Sequence, residues 1–406
     1  MALVTEQRAA RRSRLPLLTA LLGLAAALVA AVLIAPDPAS AAPISTPMTV
    51  YRNTVTQGDG PRTPDIISTS ANDAVVVWRE GTTASVITDE PGKPVVDHGY
   101  IRYSYTTDGG TTWSRPKTLA QETSEYSWHY VELYKTGSRI IAYLGRTGIT
   151  KRSGLPINAI VAKESTDGGH TWHDFTVNLP LNPTDDRTAP GKQNLALAGR
   201  PVQMANNLYV MPYWSSGREN GVLYSWNLKD WTAGPAVANP NANMPGEPQL
   251  VVSKENQNKL LLVARSTPSV PGTATFALTA TGTVTTTGTN VSMTWSPFAT
   301  DTNVPNNDSK SYFTKDSAGR YLTIYNTDTD PVRQILNYRV RSADGVWGSS
   351  KQFADPAGPN DPTPAGDGAG WDAYPMADEY APGKFFVVWE HDTSAILVST
   401  LDISDT

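Results

Sequence analysis

Residues 106–113 read T-T-D-G-G-T-T-W, and residues 165–172 read S-T-D-G-G-H-T-W, with aspartate, both glycines, threonine and tryptophan in identical places. Degenerate copies follow as S-W-N-L-K-D-W at 225–231 and S-A-D-G-V-W at 342–347, and Trp295 stands in a similar S-M-T-W-S context. The tryptophans at 113, 172, 231, 295 and 347 are 59, 59, 64 and 52 residues apart. A repeat of this period is the mark of radially repeated architecture. Within each copy the aspartate bonds to nearby backbone N–H groups, and the two glycines permit positive φ in a tight turn. The tryptophan is then expected to pack on its own blade. A calcium loop is the rival reading, but too few acidic side chains follow Asp108 or Asp167 to ligate a hard cation.

Between the repeats, short runs rich in β-branched and aromatic residues alternate with Gly, Pro, Asn and Asp. Examples are A-V-V-V-W at 74–78, I-I-A-Y at 140–143, L-L-L-V at 260–263 and F-F-V-V-W at 385–389. Few long stretches have a helical period. Strands of this kind at a period near 58 residues predict an all-β fold, a β-propeller of four-stranded antiparallel blades. Residues 44–406 hold about six such units, so six blades are expected. Pro- and Gly-rich stretches at 178–193 and 355–370 read as long loops, where binding function concentrates.

The chain opens with Arg8, Arg11, Arg12 and Arg14, an apolar run over 15–35, and Ala39-Ser40-Ala41 before Ala42-Pro43. A basic region, an apolar region and an A-x-A site describe a secretory signal over residues 1–41, leaving 42–406 as one mature, secreted domain. An uncleaved anchor is the alternative. The chain has no cysteine, so an exported fold must rest on an ample core rather than on disulfides. Net charge is −5, with no basic tail outside the leader. Nucleic acid is therefore not an expected partner. His98, His129 and His170 have no metal-ligand spacing and read as solvated or packing residues. No metal and no cofactor is expected, and no stable membrane association after cleavage; the mature chain is read as a monomer.

The D-G-G-x-T-W repeats at blade spacing resemble the Asp boxes of sialidases, and the resemblance extends along most of the mature chain. Pro61-Arg62-Thr63-Pro64 is similar to the family's opening Arg-Ile-Pro, departing in Thr for Ile. Glu247-Pro248-Gln249 lies 18 residues before Arg265, as the family's catalytic glutamate precedes its second arginine. Arg333 stands ahead of an R-x-R-S-A-D-G-V-W strand in the place of the third arginine, and Tyr374 precedes a strand closing in Glu390. The resemblance implies a retaining exo-α-sialidase acting on sialylated glycans or other terminal acidic sugars. It implies Arg62, Arg265 and Arg333 as a carboxylate clamp, Glu390 orienting Arg62, Tyr374 as nucleophile and Glu247 as its base. Asp97, in Val96-Asp97-His98-Gly99, resembles the acid/base, although it lies further after Arg62 than the family pattern; Asp89 is the alternative.

The chemistry accounts for the set. Guanidinium planes match a carboxylate. A negatively charged substrate would repel a carboxylate nucleophile, which is why a neutral tyrosine serves in sialidases. Tyrosine, with a free pKa near 10, then needs a base beside it. Taken singly, each of these side chains would read as a surface or packing residue; their order carries the reading. Arg79 ends a strand within reach of the pocket mouth and is not assigned to the site, and Trp128, Tyr213, Trp214 and Trp371 are candidates for a sugar-stacking wall or for the core. Two alternatives stay open: a related propeller hydrolase such as an exo-arabinanase, whose neutral substrate needs no arginine clamp, and a non-catalytic carbohydrate-binding propeller.

Overall fold

The computed structural model describes residues 44–53, 60–81, 88–90, 93–94, 99–123, 126–148, 158–179, 195–215, 219–270, 275–306, 308–326, 333–354, 371–392 and 394–406. Ile44–Thr406 forms one compact unit. Among the described residues there is no helix, and strands form six antiparallel sheets, each with four strands in radial order, plus one two-stranded ribbon. This is a six-bladed β-propeller. Blade 1 runs Pro61–Ser68, Ala74–Gly81, Gly99–Thr106 and Lys117–Ala120 from the axis outward; blade 2 runs Tyr126–Thr136, Arg139–Gly148, Asn158–Ser165 and His173–Phe175.

Two blades depart from the plain four-strand pattern. The first strand of blade 3 is split into Leu195–Leu197 and Val202–Gln203, and blade 4 gains Ala299–Pro305 beside Phe276–Thr287. Blade 6 closes the ring. Its inner strands are Asp372–Ala381, Lys384–His391 and Ala395–Asp402, and its outer strand is Met48–Arg52, paired from Met48 opposite Val398 to Arg52 opposite Ala395 with one bulge between Thr49 and Tyr51. Both ends of the unit are thereby hydrogen-bonded into one sheet, which leaves no gap between first and last blade.

The apolar core lies between the blades, in a ring of clusters, four joining two neighbours and one joining blades 5, 6 and 1. One joins Ile67, Val75 and Ile101 of blade 1 to Val131, Leu133 and Leu144 of blade 2. The repeated turns clasp this ring. Asp167 accepts from the Thr171 amide at 2.9 Å and hydroxyl at 2.6 Å and from Ser165 Oγ at 2.7 Å, and Gly168 and Gly169 have φ of 76° and 90°. Asp108 does the same with Thr112 and Thr106.

The tryptophans correct one expectation: they cover the preceding blade rather than only their own. Trp172 of blade 2 stands edge-on to Tyr103 of blade 1, 6.1 Å between centroids, and Trp231 of blade 3 meets Tyr143 of blade 2 at 5.8 Å. The reason is geometric. A blade buries both faces, so its last turn must bridge to the neighbour, and indole is the widest side chain available to do so.

The axis is filled by a buried ionic layer that the sequence did not foretell. Arg200, from the break in blade 3, reaches Asp65 of blade 1 with Nε 3.1 Å from both carboxylate oxygens. It also donates through Nη1 to the carbonyl of Ala377 in blade 6 at 2.7 Å. Asp65 further accepts the amides of Ile66 at 2.7 Å and of Leu133, in blade 2, at 2.6 Å. Beside this pair, Lys310 donates to Glu132 Oε1 at 3.1 Å, with both side chains at most 1% exposed. Buried charges persist only when paired and bonded in this way. Toward one end of the axis lies a cavity of about 460 Å³ with Tyr134, Lys315 and Asp378 in its lining.

Candidate active site

One device recurs at the other end of the axis. In blades 1, 2, 4 and 6 the first strand carries two residues opposite one: Thr63-Pro64 facing Trp78, His129-Tyr130 facing Gly145, Glu247-Pro248 facing Ala264, and Tyr374-Pro375 facing Trp389. Such β-bulges re-aim a side chain, and proline, lacking an N–H, is tolerated there. Eight non-glycine residues have positive φ among the described residues, and five belong to this end of the axis: Thr63, Glu247, Asp308, Arg333 and Tyr374. Backbone strain of this kind gathers where function needs a side chain held against its preference.

The 18-residue separation of Glu247 and Arg265 is that of a hairpin, since Gly246 pairs with Arg265. Arg265 Nη1 donates to Glu247 Oε2 at 2.8 Å and to the Tyr374 hydroxyl at 3.3 Å, so one guanidinium nitrogen joins the carboxylate and the phenol. Arg333 lies 5.6 Å from the Tyr374 ring centroid and 5.0 Å from that of Trp371, and Arg62 approaches the same indole at 5.8 Å. Glu390, buried opposite Ala373, accepts the Thr63 amide at 2.8 Å. The structure thus brings Arg62, Arg265, Arg333, Glu247, Tyr374 and Glu390 to one end of the axis. Asp97 lies outside the described residues, and of Asp89 only the backbone, in Thr88–Glu90, is described.

Electrostatics separates the acids. Burial works to raise the Glu247 carboxyl, but the Arg265 charge and the hydrogen bonds from Arg265 and Tyr130 outweigh it and hold the pKa below the ordinary value. Burial dominates at Glu390 and raises it, against the opposing charges of Arg62 and Arg333. The Tyr374 hydroxyl is pushed up to about 12 by burial and by the Glu247 charge, against Arg265 and Arg333. A phenol so placed ionises only if its proton is taken, and the ionised carboxylate beside it can take it.

Two members of the cluster escaped sequence reasoning. Asp308, with φ of 43°, accepts from Arg265 Nε at 2.8 Å and Thr267 Oγ1 at 2.6 Å, and its carbonyl accepts from Arg333 Nη2 at 2.6 Å. It stands between two of the three arginines. Tyr130, 6% exposed, donates to Glu247 Oε1 at 2.8 Å across the axis from blade 2. No motif marks either; the one available hint was the recurring X-Pro of the bulges, which locates the end of the axis but not its partners.

Other expectations sort differently. Arg79 is buried, with Nε donating to the Trp128 carbonyl at 3.2 Å, and so braces the bulged strand of blade 2 rather than the pocket mouth. Trp128 belongs to the core between blades 1 and 2. Tyr213 is core too, its hydroxyl bonded to Glu219 at 2.9 Å. Trp214 is half-buried, edge-on to Tyr130 at 6.4 Å, and Trp371 is half-buried against the two arginines. His170 stacks on Tyr105 at 3.9 Å, a packing role. The stretches 180–193 and 355–370 lie outside the described residues.

Comparison with known proteins bears on the fold. The model of the BNR repeat-like domain matches residues 62–369. No curated protein matches the chain. Among solved structures, the Hadza microbial sialidase Hz136 superposes with a TM-score of 0.59 at 16% identity, covering 85% of this chain and 66% of that one. The chain therefore spans about two thirds of that sialidase. A leech intramolecular trans-sialidase, in complex with 2,7-anhydro-Neu5Ac, gives 0.60 at 13% identity, covering 89% of this chain and 71% of that one. The α-L-arabinofuranosidase Arb93A from Fusarium graminearum gives 0.58 at 14% identity, covering 90% of this chain and 99% of that one. At these identities the likeness is one of fold. With a family model matched over most of the chain and Asp-box turns in a six-bladed propeller, the chain belongs to the BNR repeat-like family and has the sialidase-like propeller fold.

Proposed function

We propose that this protein is a retaining exo-α-glycosidase that removes terminal sialic acid, or a related nonulosonic acid, from glycoconjugates. The observation that carries the reading is the shared donor: Arg265 Nη1 bonds both Glu247 and the Tyr374 hydroxyl, with Arg333 against the Tyr374 ring. The substrate carboxylate would lie among Arg62, Arg265 and Arg333. Tyr374 Oη attacks the anomeric carbon while its proton passes to Glu247, and the glycosidic C–O bond breaks with its electron pair on the leaving oxygen. That oxygen takes a proton from the acid, assigned to Asp97 with Asp89 as alternative. Water then gives a proton to the same carboxylate and attacks the anomeric carbon, and Tyr374 departs with the proton held by Glu247. Two displacements retain configuration.

The basic segment, the apolar run and the A-x-A site support export of the mature chain, with residues 1–41 as a leader, and we propose that it acts as a monomer outside the cell. A second reading is a hydrolase of neutral furanosides. It is favoured by the balance of charge at the site, where Arg62, Arg265 and Arg333 stand against Glu390, Glu247 and Asp308. The test is turnover by residues 42–406 of a fluorogenic α-sialoside beside an α-L-arabinofuranoside, for wild type and Arg265→Ala. The sialidase reading expects sialoside cleavage lost by about 10²-fold or more in the variant. Cleavage of the arabinofuranoside alone would overturn it in favour of the second.

A further inference from the structure

We infer that Tyr130 is a positioning residue that fixes which oxygen of Glu247 acts as the base and how strongly basic it is; this rests on the reading of Glu247 and Tyr374 just given. The carboxylate of Glu247 has two occupied sides. Oε1 accepts from the Tyr130 hydroxyl at 2.8 Å, and Oε2 accepts from Arg265 Nη1 at 2.8 Å. Only the second side is shared with Tyr374, through the same Nη1 at 3.3 Å. Tyr130 therefore anchors Oε1 and leaves Oε2, which shares its donor with the phenol, to receive the proton.

The placement is built rather than incidental. Tyr130 sits in the bulge of blade 2 opposite Gly145, and a Cβ added to Gly145 would lie 3.4 Å from the Tyr130 amide nitrogen. Its ring is wedged edge-on against His129 at 4.5 Å and Trp214 at 6.4 Å. Only the hydroxyl is free to choose a partner, and it reaches across the axis to blade 4. Glu247 itself has φ of 45°, so its own backbone does not set the carboxylate in a relaxed orientation; two external donors do.

Tyr130 does not compete as the nucleophile. Its proton is committed to Glu247 Oε1, and burial together with the Glu247 charge raises its pKa well above the ordinary value. A hydrogen bond given to the charged form of an acid lowers that acid's pKa. The second tyrosine thus adds its hydrogen bond to the charge and hydrogen bond of Arg265 in keeping Glu247 ionised against the cost of burial. When Tyr374 transfers its proton to Oε2, Oε1 becomes a carbonyl oxygen and still accepts from Tyr130. No bond has to be remade during the step.

The test is Tyr130→Phe, which keeps the ring and removes one oxygen, with a thermal melt to confirm that the fold persists. Two readouts are taken. The first is the pH profile of sialoside hydrolysis: kcat falls about tenfold with KM nearly unchanged, the size expected for one lost hydrogen bond to a charged group. The acidic limb of the profile moves to higher pH. The second needs no substrate: the ¹³C carboxyl resonance of Glu247, assigned with Glu247→Gln, titrates at higher pH in Tyr130→Phe than in wild type. An unmoved resonance overturns the inference whatever the activity. A moved resonance in an enzyme that cleaves no sialoside leaves Tyr130 as the tuner of Glu247 and rejects the sialidase reading instead. A moved resonance with unaltered kcat and pH limb overturns the positioning role.

Discussion

Replacing Arg200 by methionine removes a side chain that ties blade 3 to blades 1 and 6 through the axis. The change keeps length and apolar bulk and deletes the guanidinium. It strands Asp65, which is fully buried and would retain only the amides of Ile66 and Leu133 as donors. It also takes from the carbonyl of Ala377 one of two 2.7 Å donors, the Tyr312 hydroxyl being the other. Removing one partner of a buried ion pair costs about 3–5 kcal/mol, chiefly because the other charge is left uncompensated. Unfolding entropy is about 2.1 cal/mol/K per residue, so for a unit the size of Ile44–Thr406 a loss of about 4 kcal/mol lowers Tm by about 5 °C. Urea denaturation followed by tryptophan fluorescence measures the loss directly. Adding Asp65→Asn should cost less than about 1 kcal/mol further, since the stranded charge is then gone. A loss below about 1 kcal/mol for Arg200→Met, or equal and additive losses for the two changes, would refute the claim that this pair pins the axis.

The neighbouring pair gives a pH dependence. Burial raises Glu132 from 4.5 to about 7 against the pull of Lys310. A carboxyl that binds its proton more tightly folded than unfolded gives stability that is complete below the unfolded value and is lost as pH rises through the folded one. Stability measured by urea should therefore fall between about pH 4.5 and 7 from this group, and the double variant Glu132→Gln/Lys310→Met should lose that part of the slope; equal slopes would contradict the assignment. Gly169→Ala should be strongly destabilising, because φ is 90° and the new methyl would lie 2.7 Å from Val75 Cβ of the preceding blade; a melt within 1–2 °C of wild type, about the scatter of a surface change, would remove the clasp argument. Asp308→Asn should lower kcat/KM about tenfold by loosening Arg265, as loss of a charged hydrogen bond does; unchanged kinetics would show Arg265 to be held by Glu247 alone.

The architecture was legible because it is written in local chemistry. D-G-G-x-T-W specifies a turn from its own residues, and its recurrence counted blades without any knowledge of their contacts. The first strands were harder to read. P-R-T-P-D-I-I-S at Pro61–Ser68 and M-P-G-E-P-Q-L-V-V at Met244–Val252 carry prolines that argue against a strand, yet the bulges that bear Thr63, Glu247 and Tyr374 are where those prolines fit. The residues that gather at this end of the axis were picked out by their order along the chain. Tyr130 and the Asp65–Arg200 and Glu132–Lys310 pairs were not, since their bonds join residues 117 to 178 positions apart, and Asp308 was not because no motif marks it. Nothing in the spacing of one strand says which side chain of another will meet it across the axis. The cross-blade direction of Trp172 and Trp231 was missed for the same reason.

In the proposed mechanism Tyr374 is the group that bonds to the sugar. A 3-fluorosialosyl fluoride slows hydrolysis of a glycosyl-enzyme enough to trap it, and peptide mass spectrometry then locates the adduct. The account predicts one added fluorosialyl group on the peptide containing Tyr374, absent from Tyr374→Phe. A sialosyl adduct on another side chain, or sialoside turnover by Tyr374→Phe equal to that of wild type, would contradict it.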